Sequence, residues 1–111
     1  MARFEAHQLA LHAVAALRPL VSAVAQHDRD LANQLRRAGS SLPLNVAEGA
    51  RRECRDRIQH YRIAAGSAAE ARSALQVAQA WGYVGGEQVE QADALLDRCL
   101  AVLWRLSHPR A

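Results

Sequence analysis

The sequence contains no lysine, few aromatic residues (5%) and only two cysteines. The residue types that are scarce exclude several classes of fold and site. β-Branched residues are scarce and the three prolines lie far apart, which argues against an all-β sandwich or barrel. Cys54 and Cys99 have no C-x-x-C partner, so the pattern supports neither a disulfide framework nor a zinc site. We interpret both cysteines as small buried hydrophobic residues.

Long apolar segments are also missing from the sequence. No apolar run approaches the roughly 18 to 20 residues that a membrane span requires. Glu5 and His7 lie where a signal peptide would have an unbroken apolar stretch. We therefore expect a protein that does not enter a membrane and that stays in the cytoplasm.

Helix-forming residues are abundant. The chain has 24 alanines, 14 leucines and 14 arginines among 111 residues, and these types head the helix-propensity ranking. The apolar spacing predicts helices over residues 4–26, 29–50, 54–81 and 87–106. Three short connections between them predict an all-α, antiparallel up-down-up-down four-helix bundle, with residues 1–111 as a single domain. The first helix has a wider apolar arc than one bundle covers, so we expect part of it to be buried between subunits.

The second predicted helix contains an interior proline. Pro43 would clash with the carbonyl of the residue four before it, and that residue is Gly39. Glycine lets the backbone bend there, and Ser40 and Ser41 can bond the freed backbone groups. We therefore predict one helix kinked at Pro43 rather than two separate helices. Asn45 lies on the apolar seam of this helix and is interpreted as a buried amide that sets the helix register.

Glycines inside the predicted helices need a packing reason, because interior glycine costs about 1 kcal/mol relative to alanine. We expect a neighbouring helix to approach Gly66 closely, and we interpret Gly49 as a close-packing position as well. Gly82 is expected to end the third helix at its C-terminus.

Three stretches of the chain resemble a known family. They are QLRRAGSSLPLNVAEG over 34–49, IAAGSAAE over 63–70, and Trp81-Gly82-Tyr83 at the end of the third predicted helix. Together they resemble the four-helix-bundle family of 23S rRNA intervening-sequence proteins over nearly the whole chain. Cys54 departs from the family pattern, in which a polar residue is usual at that helix start. The structural motif positions are Gly39, Ser41, Pro43, Asn45, Glu48, Gly49, Gly66, Ser67 and Glu70.

The resemblance carries expectations about assembly and partners. The family is similar to the accessory variability protein of diversity-generating retroelements, a pentameric bundle that binds a reverse transcriptase and nucleic acid. It therefore implies a cyclic homo-oligomer, a pentamer, that binds RNA or DNA and also a reverse transcriptase or another protein. The family has no enzymatic activity attached to it and implies no cofactor.

Arginine is concentrated in the middle of the chain, where residues 36–62 contain seven arginines and three acidic residues. Antiparallel helices would bring the turn after the second helix to the same end as Arg3, Arg105, His108 and Arg110. The opposite end would collect Asp28, Asp30, Glu87, Glu90 and Asp93, so the molecule should be electrically bipolar. The seven candidate nucleic-acid-binding residues are Arg36, Arg37, Arg51, Arg52, Arg55, Arg57 and Arg62.

Two explanations of these arginines stay open. Bases at a helix C-terminus complement the helix macrodipole without any ligand, but that does not account for Arg55, Arg57 and Arg62 in the early turns of the third helix. A guanidinium fork fits phosphate, and contacts to phosphate alone would be independent of nucleic-acid sequence. The alternative is that the arginines pair with Glu48 within or between subunits, in a purely structural or protein-binding oligomer.

Catalysis finds little support in the sequence. The five histidines form neither an i, i+4 pair nor an H-E-x-x-H motif, and the chain has no nucleophile elbow, P-loop or dinucleotide-binding glycine pattern. We therefore expect no enzyme, no metal site and no cofactor. The histidines are interpreted as solvated surface residues, and Trp81, Tyr83 and Trp104 as core or subunit-interface anchors.

Overall fold

The computed structural model describes residues 2–109, with side chains from Phe4 onward. It contains helices α1 (Ala2–Ala25), α2 (Arg29–Ala50), α3 (Cys54–Ala80) and α4 (Gly86–Ser107), and residues 2–109 include no strand. Each helix packs against its sequence neighbours, and α4 closes the bundle against α1. The predicted all-α four-helix bundle is confirmed.

Leucine and alanine fill the bundle core. The largest fully buried aliphatic side chains include Leu35, Leu42, Leu75, Leu96 and Leu103, which come from α2, α3 and α4. The helix α1 contributes mainly small residues and a few leucines to the same cluster. Because alanine is the commonest core residue, the helices can approach one another closely, and small changes in side-chain volume should matter.

The two cysteines differ in their surroundings. Cys99 is buried in the core, as expected, and burial raises the pKa of its thiol to about 11. The expectation for Cys54 is wrong: it is exposed, because it begins α3 directly after the turn. Its φ of 50° places it in the left-handed region, which costs free energy for any residue with a Cβ.

Helix α1 is long and apolar enough, by length and composition alone, to cross a membrane from Phe4 to Ala25. The expectation that no segment has this character is therefore wrong. The physical reason for this character is the alanine content of α1, which raises the mean hydropathy of the helix although Glu5, His12 and Arg18 interrupt the apolar run. In the bundle, α1 buries one face that includes Leu9, Leu17, Leu20 and Val24 against the other helices.

Helix α2 continues without interruption through Pro43, which is buried inside it. A single helix rather than two is confirmed, whereas the kink itself stays a prediction. A Cβ at Gly39 would lie 3.0 Å from Leu17 Cδ1, so this glycine also allows α1 and α2 to pack closely.

Of the other glycines, Gly49 and Gly82 have the predicted roles and Gly66 does not. A Cβ at Gly49 would lie 2.7 Å from the Tyr61 ring, which confirms the close-packing interpretation. The same expectation for Gly66 is wrong, because Gly66 is exposed and a Cβ there would meet nothing within 4 Å. Gly82 has a φ of 82° just after the end of α3, as predicted for a helix C-terminus.

The connections confirm the predicted placement of the two ends. The rings of His27 and Tyr83 stack with centroids 5.0 Å apart, so the α1–α2 and α3–α4 connections share one end. The α2–α3 turn lies at the other end, where α4 finishes with Trp104 and His108 stacked at 4.2 Å. The Arg3 side chain and Arg110 lie outside the described residues. Neither tryptophan belongs to the core, since Trp81 is 69% exposed and Trp104 60% exposed.

Candidate nucleic-acid interface

The α2–α3 turn begins with an ion-pair cluster around one carboxylate. Arg51 Nη2 donates to Glu48 Oε1 at 2.8 Å, and Arg52 Nε donates to Glu48 Oε2 at 2.9 Å. This geometry follows from the i, i+3 and i, i+4 spacing at the end of a helix. The hydrogen bond from Arg51, followed by that from Arg52, holds the pKa of Glu48 below its usual value. The predicted pair of Glu48 and Arg52 is present, and two of the seven candidate arginines are already partnered.

Arg57 makes a structural contact across the same corner. Its Nε donates to the Gly49 carbonyl at 3.3 Å, next to the close contact of Gly49 with the Tyr61 ring. The Gly49 carbonyl also accepts a hydrogen bond from the Arg52 N–H at 3.1 Å, so Arg57 adds a second donor to a carbonyl at the C-terminal end of α2. Arg57 is half-buried, so part of its donor capacity is used inside the chain.

Arg55 and Arg62 differ from the three arginines above in having no partner among the described residues. Both are exposed on α3, and neither guanidinium forms a hydrogen bond or ion pair with any side chain that the structure describes. They are seven residues apart, which is two turns of one helix face and about 10 Å along its axis. Arg55 and Arg62 therefore lie on one face of α3, whereas Arg51 lies in the turn before this helix.

Arg36 and Arg37 do not join this group. They lie on α2 more than two turns before Glu48, too far along the helix for either to pair with it in the same chain. Arg36 Nη2 donates to Asn33 Oδ1 at 3.3 Å. Arg37 is exposed and has no ion pair among residues 4–109. The seven candidate arginines thus form two groups. The first lies around the α2–α3 turn, at the end of the bundle that we call the basic end, and consists of Arg51, Arg52, Arg55, Arg57 and Arg62. The second is the pair Arg36 and Arg37, nearer the start of α2.

A polar seam between α2 and α3 gathers four side chains: Ser41, Asn45, His60 and Ser67. Asn45 Nδ2 donates to the Ser41 carbonyl and to Ser41 Oγ, both at 3.0 Å. His60 Nδ1 lies 3.1 Å from Asn45 Oδ1, which can only accept, so Nδ1 carries the proton. Ser67 Oγ donates to Ser41 Oγ at 2.7 Å and so completes the link between the helices.

The seam supports the sequence-based interpretation of Asn45 and corrects that of His60. Asn45 is half-buried and bonds across to α3, which is what a residue that sets the register between two helices does. His60 is not a solvated surface residue but a member of the seam. Its position seven residues before Ser67, on the same face of α3, is the signal that could have identified it.

The remaining motif position, Glu70, is exposed on α3 and has no ion pair with any described residue. No group of three histidine, cysteine or acidic side chains within the described residues could hold a metal ion. The described side chains therefore offer exposed cations and hydrogen-bond donors at the basic end, which suit contact with anions.

Comparisons with known proteins agree with this architecture. The family model of the 23S rRNA-intervening sequence protein matches residues 3–105. A crystal structure from Bacteroides thetaiotaomicron, described as a protein with unknown function from the S23 ribosomal protein family, superposes with a TM-score of 0.86. The two chains are 20% identical, and the match covers 94% of this chain and 99% of the other, which shows a shared fold. No curated protein matches the sequence.

Proposed function

This chain belongs to the family of 23S rRNA-intervening sequence proteins, and from that premise we propose that it is a non-catalytic oligomer that binds the phosphate backbone of nucleic acid through its basic end. The observation that carries the proposal is the state of Arg55 and Arg62. Both are exposed and without an ion pair in the described part of the chain. Arg55 also lies in the first turn of α3, where the helix dipole disfavours a cation.

The spacing of these arginines fits a nucleic-acid strand. About 10 Å along α3 corresponds to about three nucleotide steps of 3.4 Å along the axis of a double helix. Guanidinium groups bind phosphate oxygens in a two-pronged geometry, and such contacts do not depend on the base sequence. RNA and DNA are both expected ligands, with Arg36, Arg37, Arg51, Arg52 and Arg57 as further contacts.

Assembly into a homo-oligomer would repeat the basic surface. Helix α1 exposes Phe4 (66%) and Leu11 (43%), and a cleft of about 380 Å³ between α1 and α2 is lined by apolar side chains such as Val14 and Val21. Exposed apolar area of this kind favours a protein contact. A ring of five subunits, as the family resemblance implies, would add weak phosphate contacts through effective concentration. Location in the cytoplasm and binding of a reverse transcriptase or another protein belong to the same proposal.

A structural or protein-binding oligomer is the second candidate. It is favoured by the contacts of Arg51 and Arg52 with Glu48 and of Arg57 with the Gly49 carbonyl, since these arginines have partners inside the chain. Under this alternative, Arg55 and Arg62 would serve only to keep the surface charged.

Salt-dependent binding to a single-stranded RNA of mixed sequence separates the two candidates. We expect log K to fall linearly with log[salt], and the double variant Arg55→Ala/Arg62→Ala to reduce the slope by about 1.4, at about 0.7 per lost phosphate contact. The matched control is Arg29→Ala/Arg98→Ala, which removes the same charge from exposed positions elsewhere. Equal weakening by both double variants, or no salt-sensitive binding by the wild type, would contradict the proposal.

Native mass measurement tests the assembly. The expected mass is a multiple of the 12.1 kDa chain, about fivefold for the proposed ring. Leu11→Glu should dissociate the oligomer, because it places a charge on the exposed apolar face of α1, whereas Gln8→Glu on an exposed polar position should not. A monomer at micromolar concentration would rule out the ring.

A further inference from the structure

Three aromatic rings stack at the end of the bundle opposite the α2–α3 turn. The ring of His27 lies parallel to that of Tyr83 at 5.0 Å, and the ring of Trp81 lies 6.4 Å from Tyr83 with an interplanar angle of 16°. We call these three residues the aromatic ladder. Trp81 is at one end of this stack and is 69% exposed.

The fold does not account for the exposure of this indole. Helix α3 ends at Ala80, and Gly82, with a φ of 82°, redirects the chain just after it, so the indole of Trp81 is not needed to stop the helix. Within the ladder, Tyr83 is half-buried and His27 is exposed, and the Tyr83 ring stacks with the rings of both His27 and Trp81. A large aromatic side chain left mostly in water, but held in a stack with its neighbour, is typical of a contact surface for a partner.

The net charge around the ladder is negative, although the exposed Arg29 lies between Asp28 and Asp30 at the same end. Asp30 lies in the first turn of α2, and Glu87 and Glu90 lie in the first two turns of α4. None of these three carboxylates forms an ion pair among the side chains described. Farther along α4, by contrast, Asp93 and Asp97 are both bound by Arg72, at 2.8 and 2.9 Å.

We propose that the aromatic ladder and its neighbouring carboxylates form a docking surface for an arginine- or lysine-rich segment of another protein. The face of an indole ring attracts a guanidinium or ammonium group, and that attraction grows as the contact is desolvated. Neighbouring basic residues of the segment would then meet Asp30, Glu87 and Glu90. The same carboxylates disfavour a nucleic-acid strand at this end, since they repel its phosphates.

The basic end of a second copy carries the same charge as such a segment, but its geometry fits less well. A contact between the basic end of one chain and the acidic end of the next would add an end-to-end constraint to the contact through α1 that the proposed ring already uses. An extended basic segment reaches the ladder and the carboxylates without this constraint. The surface therefore fits a flexible cationic peptide.

The two tryptophans make a site-specific test possible because they lie at opposite ends of the bundle. Trp104→Phe leaves Trp81 as the single fluorescent indole, and Trp81→Phe leaves Trp104. The probe is a deca-arginine peptide. We expect it to change the emission of Trp81 saturably in Trp104→Phe and to leave Trp104 emission unchanged in Trp81→Phe. A change at Trp104 equal to that at Trp81 would overturn the proposal.

Matched substitutions separate the ladder from general charge attraction. Trp81→Ala should weaken binding of labelled deca-arginine about two- to fivefold, the range of one exposed cation–π contact. Glu87→Gln should weaken it more than Glu70→Gln, which removes the same charge from an exposed position on α3 away from the ladder. Equal effects of the two glutamine variants would show that only net charge attracts the peptide.

Self-association is the remaining outcome to separate. If Trp81→Ala lowers the native mass of the protein without any peptide present, a second copy occupies the ladder and the proposal is wrong. The test is independent of nucleic-acid binding, because it follows Trp81 and uses no RNA. Failure of the RNA experiment with Arg55→Ala/Arg62→Ala therefore leaves this result unaffected.

Discussion

The two ends of the bundle carry opposite charges, and the structure holds those charges in different ways. At the acidic end, Asp28 caps α2 by accepting a hydrogen bond from the Leu31 N–H at 3.0 Å. At the basic end, Glu53 occupies the corresponding position before α3, and its side chain caps nothing. Acids at helix starts are explained in part by the fold itself, whereas Arg55 in the first turn of α3 opposes the helix dipole. Charge that the helices do not require is the better indication of a ligand.

The largest expected effect tests the packing that supports the basic end. Gly49→Ala should destabilise the protein by about 1–3 kcal/mol, because the new Cβ would lie 2.7 Å from the Tyr61 ring. Gly66→Ala is the control. It should raise stability by up to about 1 kcal/mol, since open space surrounds it and alanine favours the helix. Urea unfolding measures both, and a loss of stability in Gly66→Ala would show that a neighbouring subunit covers that face.

The helix caps offer a direct comparison of the two ends. Asp28→Ala should cost about 1 kcal/mol, because it leaves the Leu31 N–H without its side-chain acceptor. Glu53→Ala should change the free energy of unfolding by less than about 0.5 kcal/mol, since no cap bond is lost. Thermal unfolding of the two variants under one condition decides this, and similar losses would contradict the asymmetry.

Backbone strain at the basic end predicts a smaller gain. Cys54→Gly should stabilise the protein by about 0.5–1 kcal/mol, because glycine accepts the φ of 50° without a Cβ penalty. The matched variant Cys54→Ala also removes the thiol but keeps the Cβ, so it should bring no such gain. If both variants stabilise equally, the thiol rather than the backbone is responsible.

The smallest expected effect concerns Glu48, which occupies two arginines at the basic end. Glu48→Gln releases Arg51 and leaves Arg52 with only its longer contact to Asp56 at 3.9 Å, and it should raise RNA affinity by up to about fivefold, since exposed ion pairs are weak. Glu70→Gln, away from these arginines, is the control for net charge, and an equal gain there would contradict the role of Glu48.

The same pairs predict a pH dependence. The pKa of Glu48 is lowered in the folded protein by Arg51 and then Arg52, so their contribution to stability is present above the ordinary glutamate pKa. That contribution is lost as the pH falls through the lowered value. Acid titration of the unfolding transition in wild type and Glu48→Gln should therefore converge at low pH.

Much of the fold could be predicted because it depends on local pattern. The apolar spacing located all four helices, and Gly82 was predicted as the end of α3 from glycine's tolerance of positive φ. The position of Glu48 four residues before Arg52 predicted their ion pair for the same reason, since helix geometry fixes that distance. Local rules failed for Gly66, because the sequence does not say which face of a helix is covered.

The candidate sites depended more on tertiary contact. The sequence determined that arginine is concentrated between residues 36 and 62 and that acidic residues lie at the starts of the second and fourth helices. Only the packing of the helices decided that Arg57 would bond the Gly49 carbonyl, that His60 would join Asn45, and that Arg55 and Arg62 would keep exposed guanidiniums. Helical periodicity is set by neighbours in the chain and can be read from it, whereas partners across α2 and α3 are set by the register in which two helices meet.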